Sequence, residues 1–139
     1  METQTRREFI SETGKATVMG GIGAFSAASW ENKLRHKFIH HVYFWLKNPD
    51  SADDKKKLLE GLKKLSSVKT IAMSHIGVPA PTNREVIDRS YAVSWLLVFD
   101  NNEDQASYQT DPVHLKFIED CSMLWEKVIV YDSVEQSIV

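Results

Sequence analysis

The ten residues Lys37 to Leu46, KFIHHVYFWL, restrict the possible folds of this chain more than any other segment. They are dense in β-branched and aromatic residues and run into Asn48-Pro49-Asp50-Ser51, the composition of a strand stopped by a turn. Alternation puts Phe38, His40, Val42, Phe44 and Leu46 on one face and Ile39, His41, Tyr43 and Trp45 on the other. Both faces are largely apolar, so the sheet that holds this strand needs a cover on each side.

The segments that follow supply one cover. Ser51-x-x-Asp54 is a capping box, and Leu58, Leu59, Leu62 and Leu65 recur at helical spacing between lysines, which predicts an amphipathic helix over Ala52 to Ser66. Thr70 to Val78 reads as a second strand. A loop spans Pro79 to Ile87, and a third strand, Ser90 to Phe99, carries Tyr91, Val93, Trp95, Leu97 and Phe99 along one face. A short helix from Glu103 to Thr110, a second from Pro112 to Leu124 and a last strand from Glu126 to Val134 complete the chain. This βαββαβ order is that of an α+β, ferredoxin-like fold, in which four antiparallel strands carry helices on one face. The opposite face would then expose Ile39, Tyr43, Trp45, Leu96, Val98, Ile129 and Tyr131. An apolar surface of that extent marks an interface, and a twofold homodimer that closes two sheet faces into one α/β barrel is the simplest cover.

Composition excludes several classes of function. A chain of 139 residues, 42% hydrophobic, suits one core and a short appendage. Its net charge of −2, with acids and bases interspersed, provides no basic face for nucleic acid. Cys121, the single cysteine, precludes an internal disulfide and a cysteine-based zinc cluster, and its apolar helical surroundings make it a packing residue. His36, His75 and the acidic residues show no ligand spacing, so no metal is expected. The only Gly-Gly-x-Gly run lies near the N-terminus, outside any strand-turn-helix unit, so no nucleotide or other cofactor is expected either.

That N-terminal stretch reads as an address. Thr5-Arg6-Arg7-Glu8-Phe9-Ile10 is similar to a twin-arginine export signal, followed by a weakly apolar run rich in Gly, Ala and Ser that ends at Ser26-Ala27-Ala28. We expect residues 1–28 to be a signal peptide used by the export machinery, residues 29–36 a linker, and residues 37–139 the working domain of a periplasmic or secreted protein.

The stretch Tyr108 to Phe117, YQTDPVHLKF, carries the clearest chemical signal. Asp111 at an N-cap and Pro112 at the first helical position are preferred chemistry for opening a helix. His114 then lies in the first turn, where free N–H groups and the positive end of the helix dipole disfavour imidazolium and leave a neutral proton acceptor. Set beside it, Tyr108 offers a phenol that can hydrogen-bond a developing oxyanion. The plainer account is that Tyr108 closes the core and His114 finishes a helix turn.

With these elements in order, the chain resembles the stress-responsive α/β-barrel (Dabb) family over Lys37 to Val134. The resemblance is carried by HHVYFWLK from His40, SYAVSWLLVFDN, YQTDPVHLKF and WEKVIVYDSV. In a plant branch of that family that cyclises polyketides, residues matching Tyr108 and His114 form the acid/base pair. The resemblance implies a pocket between sheet and helices lined by His40, Val42, Leu58, Leu59, Leu62, Trp95, Trp125, Val128 and Val130. Asp111 and Val93 stand where some members have histidine. The resemblance therefore implies either a cofactor-free lyase, cyclase or isomerase acting on a small apolar carbonyl compound, or a non-catalytic homodimer that binds an apolar ligand.

Overall fold

A computed structural model describes residues 32–138. The chain divides into two units, residues 1–35 and 36–139, and the architecture below is that of the second. The expected signal peptide, with Arg6 and Arg7, lies outside the described residues.

The elements are β1 (Phe38–Leu46), α1 (Ala52–Leu65), β2 (Ile71–Gly77), β3 (Val93–Phe99), α2 (Asn102–Thr110), α3 (Pro112–Cys121), a 3-10 turn (Ser122–Leu124) and β4 (Trp125–Val134). The four strands form one antiparallel sheet in the order β2-β3-β1-β4. β1 is central and alternates strictly between buried and half-buried residues, as its two apolar faces require. Ser51 opens α1 by accepting from the Asp54 N–H, but the box closes on one side only. The Asp54 carboxylate instead accepts from the Asn48 side chain at 3.2 Å.

The core lies between the helices and the inner sheet face: Phe38, Val42, Phe44 and Leu46 from β1, Leu58, Leu62 and Leu65 from α1, and Val93, Trp95, Leu97 and Phe99 from β3. Each of those leucines is fully buried, which stabilises the fold by roughly 1.5–3 kcal/mol apiece. Cys121 packs here, and burial pushes its thiol pKa up. α1 and α3 touch closely at Gly61, where a Cβ would stand 2.6 Å from Cys121 Sγ.

Two boundaries differ from expectation. The third strand begins at Val93 rather than Ser90, because the ladder to β1 starts at the Val93–Phe44 pair. Tyr91, freed from strand alternation, packs against Tyr43 and Trp45 on the outer face instead of joining Trp95 inside. The last helix stops at Cys121, and the 3-10 turn hands the chain to β4. On the outer face Tyr43 lies 4.9 Å from Tyr91 and 6.0 Å from Tyr131, and Lys127 Nζ sits 4.5 Å above the Trp45 ring. Ile39, Leu96 and Ile129 are half-buried there, Val98 is buried, and Tyr131 is 63% exposed.

Candidate active site

The inner face of β1 is shared with its neighbours row by row, because cross-strand partners point the same way. His40 pairs with Leu97 and Asp132, Val42 with Trp95 and Val130, and Phe44 with Val93 and Val128. At the end of β1 the register shifts: Trp45 pairs with Lys127 and Leu46 with Trp125. This bulge swings Trp125 onto the inner face, where its ring lies 4.9 Å from Phe44 and stacks on Phe117 at 5.7 Å.

Above these rows α2 and α3 meet at Asp111. Its backbone is extended, its N–H donates to the Tyr108 carbonyl, and its carboxylate accepts from the Val113 N–H at 2.8 Å. Tyr108 and His114 are separated by six positions, which on one unbroken helix would leave their side chains about 120° apart. The break at Asp111-Pro112 removes that separation, and the two rings stand 4.7 Å apart. The His40 ring is 5.9 Å from Tyr108.

Together these groups line one cavity of about 360 Å³. His40, Val42, Trp95, Tyr108, His114, Trp125, Val128 and Val130 are all on its wall. Leu58, Leu59 and Leu62 are not, which corrects the expected lining: α1 lies directly on the sheet, and its leucines are sealed in the core or packed against it. Phe44, Gln105, Gln109, Phe117, Ile118 and Asp132 complete the wall and were missed. Asp132 had a signal in principle, since it shares the inner face of its strand with Val128 and Val130, but only the register with β1 puts it opposite His40.

The polar atoms of the cavity differ in kind. Tyr108 is 2% exposed, and its hydroxyl accepts from Trp95 Nε1 at 3.1 Å. Burial pushes its pKa up to about 12, against a smaller downward pull from the Trp95 hydrogen bond, so it stays a phenol with its own proton to donate. His114 is half-buried, and its Nδ1 is buried with no hydrogen-bond partner among the described residues. Its pKa is lowered chiefly by burial, with help from nearby His40, while the Gln109 main chain and the Asp111 carboxylate pull the other way. The neutral imidazole foreseen from the helix start is thus held neutral mainly by desolvation. His40 Nδ1 and Asp132 Oδ1 are 2.5 Å apart.

A larger groove, about 530 Å³, runs between α1 and α3. Its polar rim is surface lysines and acids, with Lys116 already 3.1 Å from Asp120, and it brings together no comparable set of proton-transfer groups.

The family model for the stress responsive A/B barrel domain matches residues 38–135. No curated protein sequence matches the chain. Among solved structures, it is similar to a Dabb family protein with a ferredoxin-like fold from Mesorhizobium loti, at 22% identity, covering 73% of this chain and 98% of that one with a TM-score of 0.61. A dimeric protein of unknown function and ferredoxin-like fold from Bacteroides fragilis is 17% identical, with 73% and 98% covered and a TM-score of 0.57. A hydroxynitrile lyase from Passiflora edulis is 16% identical, with 75% and 97% covered and a TM-score of 0.62. At these identities the likeness is one of fold.

Proposed function

This chain belongs to the stress responsive A/B barrel domain family, and on that premise we propose that it works as an exported homodimer whose cavity binds a small apolar carbonyl compound and performs cofactor-free acid/base chemistry on it. The observation that carries this reading is the contact of the Tyr108 and His114 rings, 4.7 Å apart, on the wall of a cavity whose remaining lining is mostly aromatic and aliphatic, with His40, Asp132, Gln105 and Gln109 as its other polar groups. In the proposed step the neutral His114 imidazole takes a proton from carbon α to the ligand carbonyl. The C–H electron pair moves into the enolate, and the Tyr108 phenol hydrogen-bonds the oxygen where that charge collects. Returning the proton from His114 to carbon or to a leaving group completes the cycle.

The homodimer follows from the outer sheet face, whose aromatic cluster needs a cover, and from the dimeric fold neighbour. The export part of this reading is supported by Arg6-Arg7 ahead of the Gly/Ala run. A second reading, ligand binding without turnover, is favoured by the Trp95 bond to the Tyr108 hydroxyl, which makes the phenol a fixed donor and a poor proton shuttle.

Acetophenone in D2O separates the two readings. Wild-type protein should bind it by ligand-observed NMR and accelerate exchange of its methyl protons. His114→Ala should keep the binding and lose the exchange. Binding without exchange in the wild type supports the non-catalytic reading, and absence of binding defeats both.

A further inference from the structure

His40 and Asp132 form a second polar pair in the cavity that the Tyr108–His114 chemistry leaves unused. His40 is 6% exposed, and its side chain meets a carboxylate on the neighbouring strand, 2.5 Å from Nδ1. The pairing is built into the sheet: His40 and Asp132 are direct cross-strand partners on β1 and β4, so the backbone ladder holds both side chains on the inner face. A carboxylate can only accept, so the imidazole proton sits on Nδ1. In the neutral ring Nε2 then carries a lone pair, and it makes no hydrogen bond among the described residues. Among the described residues, Asp132 is the one carboxylate on the wall, and no lysine or arginine lines the cavity.

We propose that Asp132 is a positioning residue that fixes His40 as the Nδ1–H tautomer, so that Nε2 accepts a hydrogen bond from a hydroxyl on the ligand. This rests on the reading of the cavity as a binding site and narrows the ligand class. The polar groups become complementary: Tyr108 donates to a carbonyl oxygen, and His40 accepts from a hydroxyl. The favoured ligand is a neutral, apolar hydroxycarbonyl compound of the phenol or enol type. A carboxylate ligand is disfavoured, since it would face Asp132 with no cation on the wall.

Two measurements test this. In protein labelled with 15N-histidine, the neutral wild-type His40 ring should be the Nδ1–H tautomer, and Asp132→Ala should move it toward the Nε2–H form. Asp132 is 44% exposed on an edge strand, so the variant should fold, which an unchanged melting curve checks. The second measurement compares p-cresol with p-xylene, which differ by a hydroxyl in place of a methyl. Wild type should bind p-cresol more tightly, on the order of tenfold, and both Asp132→Ala and His40→Phe should abolish or reverse the preference. A wild-type His40 that is imidazolium or Nε2–H, or a tautomer unmoved in Asp132→Ala, overturns the proposal. Equal binding of the two probes overturns it while leaving the apolar cavity reading intact. Binding of neither defeats the cavity reading and this proposal together.

Discussion

The Trp95 indole N–H donates to the Tyr108 hydroxyl at 3.1 Å, joining the central part of β3 to the end of α2. Both side chains are almost fully buried, so neither polar atom has water as a substitute partner. Tyr108→Phe removes the acceptor and leaves Trp95 Nε1 stranded. Denaturant titration should show a loss of about 1–3 kcal/mol. The same variant should lose enolate stabilisation, so acetophenone exchange should fall even in the fraction that remains folded.

The lowered pKa of His114 gives stability a definite pH dependence. Burial disfavours the imidazolium in the folded state, whereas the unfolded chain protonates near the ordinary histidine value of about 6.5. Between the lowered folded pKa and that value the unfolded state holds more protons, so stability falls as pH falls through this window. His41, also lowered chiefly by burial and further by His75 and His40, adds to the trend. Melting temperature should change little between about pH 7 and 8 and decline on acidification, less steeply in His114→Phe. Proton exchange at carbon should decline over the same range as the base is consumed, and a wild-type rate that rises toward pH 5 would remove His114 from that role.

Gly61 lies inside a helix, where alanine normally gains up to about 1 kcal/mol. Here the added Cβ would meet Cys121 Sγ at 2.6 Å and the Phe117 ring at 3.3 Å. Steric conflict should win, and Gly61→Ala should destabilise by about 1–3 kcal/mol. Combining it with Cys121→Ala removes the sulfur and should recover part of that loss.

The outer-face aromatic cluster predicts association. Tyr131→Glu, on the face where Tyr43, Tyr91 and Tyr131 gather, should yield a monomer or an aggregate by analytical ultracentrifugation. An unpaired charge buried at an interface costs several kcal/mol. A wild-type protein that sediments as a monomer at micromolar concentration would contradict the homodimer.

Replacing Arg6 and Arg7 by lysine should retain the protein in the cytoplasm with its N-terminus uncleaved, as fractionation and N-terminal sequencing would show. Unchanged localisation and processing would refute the export reading.

The strand and helix order was legible because its signals are local. KFIHHVYFWL alternates along one backbone, Ser51 and Asp111 cap the helices that follow them, and the α1 leucines recur at helical spacing. Local pattern overruns the strand at Ser90 to Ala92, which continue the strand composition yet have no partner residues in the ladder.

The amino-acid sequence alone determined the ferredoxin-like plan, the two apolar faces of its central strand and the helix break that separates Tyr108 from His114, because caps, prolines and alternation act within a few residues. The lining of the cavity was decided by tertiary structure. Asp132 meets His40 only through the β1–β4 register, Trp125 enters the wall only through the bulge opposite Trp45 and Leu46, and Leu58 and Leu62 leave it because α1 settles directly on the sheet. Register and helix placement are set by how whole faces pack together, and burial set in the same way lowers the His114 pKa.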